Sequence, residues 1–137
     1  MKKKLVSQSS SGKQVIGGKI LLPDGTEIPT SKAYKANGFL FVSGQLPFES
    51  DGTVSTADIG YQTALCLNSI KQILAMDNLV IEDLVKLTIW LSDKHDFSGF
   101  NQAYQQYMGE HRPSRSTVCA ELMLPNALIE IEAIAAY

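Results

Sequence analysis

Arg112-Pro113-Ser114-Arg115-Ser116-Thr117-Val118, then Leu124-Pro125, then Leu128-Ile129-Glu130-Ile131-Glu132-Ala133-Ile134-Ala135 make up the last quarter of the chain. The two apolar runs read as β-strands joined by a turn at Pro125-Asn126. Pro113 favours an extended lead-in to the first strand. In the second, Leu128, Glu130, Glu132 and Ile134 point one way, and Ile129, Ile131 and Ala133 the other. Two carboxylates on one face of an apolar strand must reach water or face a polar pocket. Arg115 opens the first strand with a planar fork that suits a carboxylate, and a half-buried glutamate can move protons. That pair points to a site.

Upstream, Val85-Lys86-Leu87-Thr88-Ile89-Trp90-Leu91 alternates as a half-buried strand. Phe39-Leu40-Phe41-Val42, ended by Ser43-Gly44, reads as a short buried strand. Val15 to Leu22 reads as a strand closed by the turn Pro23-Asp24-Gly25-Thr26, and Pro47 to Thr53 as a loop turning at Asp51-Gly52. From Asp58 to Met76 the apolar residues Ile59, Cys66, Leu67, Ile70, Ile73 and Leu74 recur at helical spacing. Asp96 is placed to cap a second helix from Phe97 to about Met108. Strands, helix, strand, helix, strand, strand predicts an α+β two-layer sandwich, one mixed or antiparallel sheet with two helices on one face. The other face would still carry apolar side chains, from Leu87, Ile89 and Leu91 or their alternates. Such a face calls for burial against other subunits.

At 137 residues the chain can bury a core without disulfides or metals. Residues 1–13, with Ser9-Ser10-Ser11-Gly12, read as a loose tail and 14–137 as one domain. A net charge of −2 and an isoelectric point near 5.6 leave no basic footprint for nucleic acid. No segment is apolar enough over enough residues for a membrane span. Lys2-Lys3-Lys4 is not followed by the apolar stretch of a signal peptide, so Cys66 and Cys119 are expected reduced and the protein cytoplasmic.

Each candidate side chain has an ordinary reading beside a chemical one. Arg115 is either solvated or ion-paired at a strand start, or a clamp for an anion. Glu130 and Glu132 are either wet edge residues or, given Leu128 and Ile134 on their face, a tuned acid pair. Ser43-Gly44 is a plain strand end or a place where a hydroxyl and backbone N–H groups meet a ligand closely. No Gly-Xaa-Ser-Xaa-Gly elbow surrounds Ser43, which excludes the usual serine-hydrolase nucleophile. Asn101 reads as a surface residue and Cys119 as a core thiol. His95 and His111 have no metal spacing with either cysteine, and no phosphate-binding glycine loop or cofactor lysine is present, so metal and cofactor are expected absent.

The ordered set Phe39–Pro47, Gln62, Val85–Asp93, Asp96-Phe97, Phe100-Asn101 with Tyr104, Pro113-Ser114-Arg115-Ser116 and Ile129–Ala135 resembles the reactive intermediate deaminase (Rid, YjgF-like) family over residues 28–136. The resemblance implies a chorismate-mutase-like fold and a homotrimer with sites in the clefts between subunits. It implies cofactor-independent hydrolysis of 2-imino and 2-enamino acids, of the 2-aminoacrylate type, to 2-oxo acids and ammonia. It assigns the substrate carboxylate to Arg115, the attacking water to Glu130, and the lining of the cleft to Ser43, Gly44 and Asn101. Two further substrate-binding positions carry departures. Thr117 stands where the family often has cysteine. Thr30 follows Pro29 where the family's tyrosine is expected, with Tyr34 as the other aromatic within reach. The stretch from Arg115 to Pro125 is one residue longer than in the best-known deaminase branch, which marks a side branch. An alternative reading is a non-catalytic trimer that binds small carboxylates. An RNA-cleaving role, sometimes attached to the family, is disfavoured by the acidic charge.

Overall fold

Six strands form one mixed sheet with two helices across one face, which is the α+β class expected from the order of elements. The computed structural model describes residues 12–137, so most of the expected 1–13 tail lies outside the described residues. The strands are β1 (Gln14–Ile16), β2 (Ile20–Leu21), β3 (Glu27–Ile28), β4 (Ala33–Ala36), β5 (Phe39–Gln45), β6 (Leu84–Leu91), β7 (Ser114–Cys119) and β8 (Ile129–Ala136). The helices are α1 (Ile59–Ala75) and α2 (Phe97–Met108). The main sheet runs β1-β4-β5-β8-β6-β7, and β2 pairs with β3 in a separate ribbon. Among the described residues only β6 and β7 run parallel.

The single strand expected over Val15–Leu22 is two. Gly17 and Gly18 both adopt positive φ and break the run, so β1 joins the main sheet while β2 turns back onto β3. The Pro23–Thr26 turn forms as expected, with Gly25 N–H donating to Leu22 O and Asp24 Oδ1 accepting from Thr26 N–H. β4 was not anticipated. It is hairpinned to β5 by Asn37 and Gly38, both at positive φ, the conformation a two-residue hairpin needs. The last two strands follow one another in sequence but do not pair, because β6 lies between β7 and β8. Asp96 precedes α2 without a side-chain cap bond; Asp93 caps the short 3-10 turn before it, accepting from His95 N–H.

The core fills the space between helices and sheet. α1 starts at Asp58, whose carboxylate accepts from Tyr61 N–H, and buries Cys66, Leu67, Ile70, Ile73 and Leu74. α2 buries Phe100, Tyr104 and Met108, an every-fourth-residue stripe. Against them lie Leu87, Ile89 and Leu91 of β6 and Ile129, Ile131, Ala133 and Ala135 of β8. The alternation read in β6 is therefore real. Its apolar set faces the helices, while Lys86, Thr88 and Trp90 take the other face. The helix-free face is still rich in apolar groups, with Tyr34, Phe39, Phe41 and Val118 exposed.

One buried amide ties these layers together. Gln62 of α1 is fully buried; its Nε2 donates to Ser55 O (3.0 Å), Ala57 O (3.2 Å) and Asn126 O (3.1 Å). Its Oε1 accepts from Leu128 N–H at 2.8 Å. Gln62→Leu keeps the bulk but strands these backbone groups, and leaving buried polar groups unpaired costs about 2–4 kcal/mol here. Urea unfolding at fixed protein concentration should register that loss; a change near zero would mean that water or neighbouring groups take over the four contacts.

Candidate active site

Glu130 sits on the central strand β8, on the face without helices, opposite Trp90 of β6. Its carboxylate lies against Gly44. A bulge between Val42 and Gln45 carries Gly44 over the glutamate, and a Cβ there would overlap Glu130 Oε2. Space, not backbone conformation, dictates glycine at that position. Glu130 is half-buried, and its carboxyl pKa is raised first by that burial and then by the charge of Glu132.

Ser43 holds the bulge to the preceding loop. Its Oγ donates to Ser31 O at 2.6 Å and its N–H to Lys32 O at 3.0 Å, while Gln45 Nε2 donates to Ser43 O at 3.0 Å. Ser43, Gly44 and Thr30 border a cavity of about 520 Å³ that runs under the β2–β3 ribbon to Leu124. Tyr34 borders a separate hollow of about 330 Å³ with Ser31, Ser43 and Glu132. Thr30 and Tyr34 thus flank Ser43 from two sides, and it is Thr30 that shares the cavity with Gly44.

Arg115 stands elsewhere, on the edge strand β7. Its Nη2 donates to Asn101 Oδ1 at 2.9 Å, and its Cζ lies 5.0 Å from the Phe100 ring centroid and 4.9 Å from that of Tyr104. Two aromatic faces and one amide fix the guanidinium in place. No carboxylate lies within ion-pair distance of it among the described residues. Tyr104 Oη and Thr117 Oγ1 are buried beside it without a hydrogen-bond partner among the described residues. Asn101 is therefore no idle surface residue. Sequence reasoning quoted Phe100 and Tyr104 without reading them as a cradle; the signal was their four-residue spacing around Asn101, on the face β7 meets.

The structure brings together Thr30, Ser43, Gly44 and Glu130 in one group, and Asn101, Arg115 and Thr117 in another. It does not join the two groups within one chain. Arg115 is the cross-strand partner of Leu87, which faces the helices, whereas Glu130 partners Trp90 on the opposite face. β6 also separates their strands, a lateral gap of about 10 Å. A small ligand cannot touch both. Cys119, expected in the core, is exposed at the edge, because the parallel register sets it at the last pair of β6 and β7. Cys66 is the core thiol, its pKa pushed up by burial. Among the described residues no three of His, Cys, Asp and Glu converge as a metal ion requires, and no helix is long and apolar enough to cross a membrane.

Comparison with known proteins places this arrangement. The family model "Endoribonuclease L-PSP" matches residues 25–137. A RutC family protein of Pyrococcus horikoshii is 41% identical over 108 residues, covering 78% of this chain and 86% of that protein. The 3-aminoacrylate deaminase RutC of Acinetobacter baylyi is 38% identical over 120 residues, covering 85% of this chain and 95% of that one. Among solved structures, E. coli TdcF with bound serine superposes with a TM-score of 0.79 at 30% identity, covering 90% of this chain and 98% of that one. The chain belongs to the endoribonuclease L-PSP family, the family of YjgF-like and reactive intermediate deaminase proteins.

The raised pKa of Glu130 has a consequence for stability. Its folded-state pKa lies above the unfolded value, so the folded state holds the proton more tightly. The stabilising contribution is complete below the unfolded pKa and is lost as pH rises through the folded one. Glu130→Gln, which cannot ionise, should raise the melting temperature at neutral pH and remove that part of the decline. Thermal scans from pH 4 to 8 measure it; parallel curves for parent and variant would show that Glu130 is not strained by its burial.

Proposed function

We propose that the protein hydrolyses 2-imino and 2-enamino acids to 2-oxo acids and ammonia without a cofactor, in clefts formed between the subunits of a homotrimer. The observation that carries this reading is Arg115: a half-buried guanidinium, held by Asn101 and two rings, with no carboxylate paired to it among the described residues. Its remaining donors suit a bidentate substrate carboxylate. A second copy is required because the Arg115 and Glu130 groups face opposite sides of one sheet. The apolar side chains on the helix-free face supply a surface for it.

In the proposed reaction Glu130 takes a proton from water as its oxygen attacks C2 of the imine. That proton passes to nitrogen, giving the carbinolamine. Glu130 then takes the carbinolamine's hydroxyl proton and delivers it to the same nitrogen, so that the C2=O bond forms as the C–N bond breaks and ammonia leaves the 2-oxo acid. A raised pKa brings Glu130 closer to the range in which it can both accept and return that proton. Gly44 leaves its oxygen room beside the backbone, Ser43 fixes the bulge, and Thr30 and Thr117 line the approaches. Absence of turnover in the parent protein, with carboxylates still bound, would instead mark a binding protein for small carboxylates.

The test is an imine-hydrolysis assay with the imine made in situ by an amino acid oxidase. Glu130→Gln should lower turnover roughly a hundredfold or more with ligand binding kept. Glu132→Gln, on the same face, should matter less. Equal small effects would leave Glu130 a structural acid, and no turnover in the parent with 2-oxo acids still bound would favour the binding protein. Arg115→Lys keeps the charge but not the fork, and calorimetry should show 2-oxo acid binding weakened by about 1.5–3 kcal/mol. Unchanged affinity would remove the clamp. Sedimentation showing a stable monomer at micromolar concentration would remove the shared cleft.

A further inference from the structure

The cavity bordered by Ser43, Gly44 and Thr30 is larger and more apolar than a 2-aminoacrylate-sized substrate requires. Leu22, Pro23, Ile28, Phe48, Met123 and Leu124 wall it, and its volume of about 520 Å³ falls in the range of pockets that enclose small molecules. We propose that this cavity receives the substrate's side chain and that the preferred substrates are imines of bulky apolar amino acids, of leucine, methionine or phenylalanine size. The proposal rests on the deaminase reading for its chemistry. Its geometry is separate.

Three observations support it. Gly44 borders the cavity, and the Glu130 carboxylate lies directly against Gly44, so an imine carbon placed beside Glu130 has this cavity next to it. Thr30 contributes only a small side chain at the border. Met123 and Leu124 come from the stretch between β7 and β8, and Leu22, Pro23 and Ile28 from the β2–β3 ribbon. Phe48 comes from the loop after β5, so the apolar wall is built by three segments outside the main sheet, with Ser43 and Gly44 of β5 at its border. Lys32 also reaches the cavity, but its stem lies flat on Gly17, where a Cβ would stand 2.8 Å from Lys32 Cβ and 2.9 Å from Cδ. That stem adds methylenes to the wall. The ammonium at its end makes dicarboxylate imines the chemical rival.

In an apolar pocket each methylene that finds its place changes kcat/KM roughly tenfold or more. Imines made in situ from leucine, methionine, phenylalanine, alanine and glutamate, with 2-aminoacrylate beside them, separate the possibilities. The leucine-type imines should exceed the alanine imine and 2-aminoacrylate at least tenfold in kcat/KM. Met123→Asp, at an 83% exposed position, should lower the ratio of the leucine-type rates to the alanine-imine rate about tenfold. Leu22→Trp, which fills the cavity, should do the same. Equal rates across the panel, a preference for the small imines or for glutamate, or variants that lower all rates alike would overturn the proposal. If the parent hydrolyses no imine at all, the deaminase reading fails and calorimetry decides the pocket. Tighter binding of 4-methyl-2-oxopentanoate than of pyruvate, reversed in Met123→Asp, upholds it; equal affinity or no binding overturns it.

Discussion

The side-chain amide of Gln62 is the contact on which the placement of the candidate chemistry depends. It binds the loop before α1, the turn at Asn126 and the N–H of Leu128, which immediately precedes β8. β8 lies in the middle of the sheet and is paired on both edges, to β5 on one side and β6 on the other. Where it starts sets which of its residues face the helices. A slip of one residue would bring Glu130 and Glu132 into the core and Ile129 and Ile131 out of it. A buried charge costs far more than a buried isoleucine gains, so the register is strongly fixed. Gln62 holds the entry to that register from the helix layer, and Ser92 N–H, donating to Leu128 O, holds it from the end of β6.

From the register follows the division of the site. The bulge in β5 turns Gly44 onto Glu130 on one face, and the parallel pairing of β7 with β6 turns Arg115 toward α2 on the other. Each half is finished locally. Arg115 has its aromatic cradle and Asn101; Glu130 has its glycine gap and Ser43 bracing the bulge. Neither half can reach the other in one chain, and the helix-free face that bears Glu130 also bears exposed aromatic side chains. Under the proposed trimer, one association would bury those aromatics and bring an Arg115 to a Glu130. Packing and chemistry would then share a single requirement.

Much of this was readable from residue order alone. The periodicity of α1 and of β8 separated their faces as they stand, because each buries one full stripe against the core. In β6 it separated two faces without telling that Leu87, Ile89 and Leu91 meet the helices rather than the uncovered side. The site residues that motifs named are all at least partly exposed in the single chain. What escaped had physical reasons. β4 is four residues long and its alternation is too brief to register, although Asn37-Gly38 is a strong hairpin signal. Gly17-Gly18 is a break that an apolar count over 15–22 passes across. The insertion of β6 between β7 and β8 is a long-range choice that no local pattern encodes. The cradle around Arg115 joins an edge strand to a helix, and such a contact is visible only once both are placed.

The separation of Arg115 from Glu130 also protects the acid. At contact distance, an ion pair near a protein surface is worth about 4 kcal/mol, enough to pull a carboxyl pKa down by about three units. A Glu130 so paired would be a poor proton acceptor. As the structure stands, burial and then Glu132 act on it in the opposite direction. In the proposed cleft the substrate carboxylate lies between the two groups and takes up the guanidinium's charge. The arginine then holds the anion without neutralising the glutamate, and the acid keeps its raised pKa through substrate binding. Burial of Glu130, reinforced by a like-charged carboxylate on the same strand face, lowers stability and keeps Glu130 basic enough to use.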